Sequence, residues 1–192
     1  STGRTINQYI NADGNYNFNG TTTLNGGDAG IDIINGSNGN FTFLDAPITN
    51  TSGVALLVNG GNGIISHTGA INKSTTGRMI DIHARTGGSV TVNGNLSSTL
   101  ISSGINVSSC TGGTVTFSGS NKTLNTPGNN PVNLTSNAGA AIHFTNGNLA
   151  ITSASATGFN ATGGGTITTQ GLVNTIVSTT GTALNVENTT IG

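Results

Sequence analysis

The chain has no tryptophan, one methionine, one cysteine and three prolines in 192 residues, and 6% of it is charged. Each shortage excludes something. A lone cysteine, Cys110, forbids an internal disulfide. Five Lys and Arg residues cannot supply the basic footprint of a nucleic-acid binder, nor a polybasic membrane patch. No apolar run approaches the roughly 20 residues that cross a bilayer, so membrane insertion by this segment is not expected. Aromatic residues are 4% of the chain, which suits a thin core with room for Val, Ile and Leu but few large rings. Ser1-Thr2-Gly3-Arg4 leads straight into polar sequence and carries no signal-peptide pattern.

What is present is Thr, Gly, Asn and Ser, together 110 of the 192 residues. Such a composition can leave a chain disordered, because it offers little apolar surface to offset the entropy of folding. Here 33% of the residues are hydrophobic and the net charge is only -1, so self-repulsion is weak. The hydrophobic residues also recur at fixed spacing. Aligned on Ile33, Val58, Ile82, Val107, Leu134, Ala161 and Val186, the copies are 24 to 27 residues apart. Two residues before each anchor stands Ile31, Leu56, Ile80, Ile105, Val132, Phe159 or Leu184. That period of two marks a strand with one buried face.

A second strand follows each anchor, with inward pairs Phe41/Phe43, Ile65/His67, Val90/Val92, Val115/Phe117, Ile142/Phe144 and Ile167/Thr169. A third apolar position comes next, at Ile48, Ile71, Leu96, Leu124, Leu149, and Leu172 or Val173. An earlier copy reads Ile10, then Tyr16 and Phe18, then Leu24. One copy cannot bury its apolar residues alone, whereas stacked copies can. The fold expected is therefore all-β: a right-handed parallel β-helix (β-solenoid) of about seven and a half coils, ~25 residues and three short strands per coil. At about 4.8 Å per coil the rod is roughly 35 Å long. Residues 1–192 read as a single β-solenoid domain, a segment of a longer repetitive chain, since the copy begun at Ala183-Leu184-Asn185-Val186 stops part-way.

The turns are punctuated by Gly39, Gly63, Gly88, Gly113 and Gly139. They are expected to supply positive φ or close approach between coils. Two coils break the rhythm. Lys122 to Pro131 is read as a loop bulging from the third turn, and Thr157 to Gly165 as an irregular coil with Ala161 facing inward.

The outward residues form columns. The second strand gives Asn17, Thr42, Ser66, Thr91, Thr116, His143 and Thr168; the first gives Asp32, Leu57, Asp81, Asn106, Asn133, Asn160 and Asn185. A threonine column raises an ice- or mineral-binding face, but Thr is also an ordinary exposed strand residue, and His143 interrupts the column. Catalysis of the polysaccharide lyase or hydrolase kind needs clustered carboxylates. Asp32 and Asp81 share a column, but two coils separate them by about 10 Å with Leu57 between. Gly26-Gly27-Asp28-Ala29-Gly30-Ile31-Asp32 echoes a calcium nonapeptide only once, which builds no shared site. Lys73, Arg78, Asp81, His83 and Arg85 are read as a solvated edge, His67 as a hydrogen-bonded core histidine and Cys110 as an exposed corner residue. No catalytic, cofactor-binding or metal-binding residue is assigned, and no enzyme activity is expected.

Gly88-Ser89-Val90-Thr91-Val92-Asn93-Gly94-Asn95-Leu96 and the run from Gly181 to Gly192 resemble the β-strand-repeat regions of large bacterial surface proteins, in the style of autotransporter passengers and filamentous-haemagglutinin-like adhesins. The resemblance implies an exported stalk at the bacterial cell surface, serving adhesion or structural extension. Its partners would be neighbouring coils of the same or an identical chain, and glycans or surfaces. Carbohydrate-active enzyme and ice- or surface-binding solenoid remain the alternatives.

Overall fold

Alternating Ile, Val, Leu and Phe with Asn, Thr and Asp forces one face of each segment inward, and no segment is long enough to close a core by itself. The structure, a computed structural model, describes residues 7–99 and 101–192. Within them are 21 strands and no helix. Every pairing is parallel and joins a strand to its counterpart one coil away, as in Ile80↔Ile105 and Val90↔Val115. Seven three-strand coils are stacked, followed by the first two strands of an eighth, Leu184–Glu187 and Thr190–Ile191.

First and second strands share one 14-stranded sheet, because Val132–Phe144 and Phe159–Thr169 run unbroken around the corner between them. The third strands form a separate seven-stranded sheet. The anchor column holds its register from Ile33 to Val186 through every coil. The inward residues pile into ladders on this frame. Tyr16 stacks on Phe41 (ring centroids 4.9 Å apart), Phe18 on Phe43 (5.1 Å) and Phe117 on Phe144 (5.0 Å). These separations are the interstrand spacing of a sheet, so identical neighbours stack without adjustment.

Glycine is required at the corner for both reasons anticipated. Gly88 and Gly113 have φ of 66° and 91°, whereas a Cβ on Gly63 would strike the carbonyl oxygen of Gly39 one coil below. Three glycines, Gly163 to Gly165, carry Phe159–Thr169 through its corner with positive φ, and the pairing register shifts on either side of Ala138. Ala161 faces inward there and is fully buried. The bulging loop begins later than expected: Lys122–Asn125 is a strand, and the turn occupies 126–131.

Three inward assignments differ from expectation. In the first described coil Tyr9 pairs with Ile33 and takes the core slot, while Ile10 pairs with Ile34 and is 50% exposed. In the third-strand column the residue between Leu96 and Leu149 is Lys122, and Leu124 lies in the neighbouring column with Ser98 and Ile151. In the seventh coil the third strand is Thr175–Ser178, with Ile176 opposite Ile151. Leu172 and Val173 are 84% and 71% exposed in the turn before it, where Val173 has φ 60°. A count of apolar residues favours a leucine over a lysine. Lys122 and Leu124 both face inward and are fully buried, the lysine because its tip finds carbonyl oxygens.

Candidate functional site

The expected members of both outward columns share a register, and Gln8 extends the first column one coil before Asp32. On the first-strand face they become a chain of amides. Asn185 Nδ2 donates to Asn160 Oδ1 (2.8 Å), Asn160 to Asn133 (2.9 Å), Asn133 to Asn106 (2.8 Å), and Asn106 to Asp81 Oδ1 (2.9 Å). All four bonds point one way and end on a carboxylate, the strongest acceptor available. Asn160, Asn133 and Asn106 each use the oxygen for one neighbour and the nitrogen for the other, which is how stacked Asn side chains tie parallel strands together. Asp81 is also approached by Arg78 Nε (3.7 Å) and His83 Nδ1 (3.2 Å). So Arg78, Asp81 and His83 form the partly exposed, solvated edge expected.

The other two members of that cluster are not at the edge. Lys73 and Arg85 are each 2% exposed, and Lys122 is fully buried. Arg85 crosses the first corner, donating from Nη1 to the Gly60 carbonyl (2.6 Å) and from Nη2 to those of Gly63 (2.6 Å) and Gly87 (3.1 Å). Lys122 closes the second corner through the carbonyls of Gly119 (2.6 Å) and Thr145 (2.8 Å). Lys73 serves the third corner, donating to the carbonyls of Thr51 and Gly53 and to Thr75 Oγ1. Burial pushes Lys73 down to about 8 and lowers Arg85 and Lys122 as well. Coil corners point carbonyl groups inward, where the strand ladders leave them acceptor capacity to spare. A long cationic side chain satisfies two or three of them at once. Three of the five cations are therefore internal corner braces, and Arg78 is the surface cation among the described residues.

Cys110 follows the same logic and corrects its expected exposure. It is fully buried beneath the first corner; its amide donates to Asn137 Oδ1 (3.2 Å) and its thiol to the Ser108 carbonyl (3.4 Å). Burial raises the thiol, which suppresses the thiolate that nucleophilic chemistry needs. His67 is the core histidine expected. Its Nε2 donates to the Ala46 carbonyl (2.8 Å), its Nδ1 is buried without a partner, and burial lowers it to about 4.

Asp32 and Asp81 stand two coils apart with Leu57 between, as the register required. Among the described residues no group of three or more His, Cys, Asp or Glu comes together. The second strand holds a feature the sequence reading missed. Its outward positions are two per coil, so a second column runs Asn15, Asn40, Ile64, Ser89, Thr114, Ala141, Thr166 beside the threonine column. The signal was the Thr114-Val115-Thr116 and Thr166-Ile167-Thr168 alternation, where both hydroxyls share a face.

Comparison with protein-family models, curated proteins and solved structures returns no match to this chain.

Proposed function

We propose that the chain is a rigid, structural and adhesive β-solenoid segment of an exported bacterial surface protein. It holds other segments at a distance and offers long, uncharged faces to surfaces and glycans. The amide ladder from Asp81 to Asn185 carries this reading. It ties five coils together along one outer face, and its polar groups are arranged to join coil to coil rather than to converge on a reacting atom. Neighbouring coils, in the same or an identical chain, are the expected partners. At the last described coil the core opens into an apolar cavity of about 250 Å³ between Phe159, Ile167, Ile176, Leu184, Val186 and Ile191.

Two experiments test the proposal. Antibody against the chain should label intact bacterial cells; labelling only after lysis refutes export. A polysaccharide-degradation screen should show no turnover, and turnover abolished by Asp32→Asn or Asp81→Asn refutes the structural role. The paired columns around Thr114/Thr116 and Thr166/Thr168 favour a second reading, an ice- or mineral-binding face. Thermal hysteresis lost on Thr91→Lys or Thr116→Lys would establish it.

A further inference from the structure

The two-proline turn at 126–131 does more than absorb extra residues. It forms one wall of a polar groove of about 300 Å³ on the first-strand face, lined by Arg78, Ser103, Gly128, Asn129, Asn130 and Asn133. That volume is at the lower end of small-molecule sites, which run from about 300 to 1,000 Å³. No hydrophobic side chain lines it, so its selectivity must come from hydrogen bonds and charge.

The wall is built and held. Thr126, fully buried, donates its hydroxyl to the Asn129 carbonyl (2.9 Å) and accepts the Asn129 amide on its own carbonyl (3.2 Å). The Pro127 carbonyl takes the amides of Ala154 (3.1 Å) and Ser155 (3.3 Å) from the next coil. Asn130 Oδ1 accepts the Thr157 amide (3.1 Å). The turn is thus pinned to the coil above it, and a groove that needs no ordering on binding loses less affinity to entropy.

The polar atoms it presents are mostly donors. Asn130 has its oxygen engaged, which leaves its NH2. Asn133 has its oxygen bonded to Asn160 and one N–H bonded to Asn106, which leaves the other N–H and one lone pair. Asp81 approaches Arg78 through Nε and does not line the groove, which leaves the two terminal guanidinium nitrogens for a ligand. That fork matches a carboxylate in plane and spacing. Ser103 and Asn129 add groups that suit hydroxyls.

We propose that this groove is a binding site for a carboxylated saccharide unit, a hexuronate, with its carboxylate on Arg78 and its hydroxyls on Ser103 and the asparagine amides. The site stands on its own geometry and does not depend on the role assigned to the rod.

The test is a titration of isotope-labelled protein followed by amide NMR, using glucuronate, glucose and inorganic sulfate as separate probes. Glucuronate should give saturable shifts at Ser103, Gly128, Asn129 and Asn130, with a Kd on the order of 1 mM. Glucose should bind at least tenfold more weakly. Arg78→Gln and, independently, Asn129→Asp should each weaken glucuronate at least fivefold, with amide positions outside the groove unchanged as the check on folding. Equal affinity for glucose and glucuronate, equal affinity for sulfate and glucuronate, absence of saturable shifts, or binding unaffected by both substitutions overturns the proposal.

Discussion

Replacing His67 by Phe should flatten the acid side of the stability profile. The imidazole is fully buried in the second-strand column, between Phe43 and Val92. The nitrogen that reaches a partner, Nε2, faces a carbonyl and carries the proton of the neutral ring. Protonation would put the second proton on Nδ1, which is buried with no acceptor. The folded pKa is accordingly lowered from 6.5 to about 4. A base with a lowered folded pKa is protonated first in the unfolded chain. The stability it allows is complete above about 6.5 and is lost as pH falls toward 4, below which both states hold the proton. At about 1.4 kcal/mol per pH unit, this window is worth about 3 kcal/mol. The assay is urea unfolding of wild type and His67→Phe at pH 7.5 and pH 4. The loss between the two pH values should be smaller in the variant by about 3 kcal/mol, and a direct NMR titration should leave the wild-type ring neutral at pH 5. An equal acid loss in both proteins refutes the reasoning.

Other substitutions should follow the geometry. Asn106→Ala removes bonds to Asp81, Ser108 and Asn133, and should cost about 2–3 kcal/mol in urea unfolding, whereas Asn185→Ala removes one and should cost about 1 kcal/mol. Gly63→Ala drives a methyl into the Gly39 carbonyl and should lower the unfolding midpoint sharply. Gly20→Ala, where a Cβ meets nothing within 4 Å, should be neutral or stabilise by about 0.5 kcal/mol. Cys110 should resist a thiol reagent in native buffer and react at once in denaturant, because it is fully buried.

The two apolar columns of the first and second strands were legible because their residues alternate with polar ones over enough coils to reveal the period. The third strand was only half legible. Its inward slots admit Lys73, Ser98 and Lys122 as well as Ile71 and Leu96, so hydrophobicity alone misplaces Leu124 and mistakes Leu172 for a strand. The corner braces were hidden for the same reason. Lys73 and Arg85 look like surface charges until the inward carbonyls of neighbouring coils are in place. The amide ladder was foreseeable as a column of Asn, but its direction toward Asp81 depends on which atoms meet. The groove was not foreseeable at all, since its wall is fixed by bonds from the turn at 126–131 to residues 154–157 of the next coil.

The most direct test of the stacked, rigid rod is a set of distances between spin labels along one outward column, in a Cys110→Ser background. Asn17, Thr42, Ser66, Thr91, Thr116, His143 and Thr168 lie on successive coils. With one label at position 17 and the other at 116 or 168, the separations should be narrowly distributed near 19 and 29 Å, about 4.8 Å for each coil crossed. Broad distributions, or a separation that does not grow with the number of coils, would contradict it.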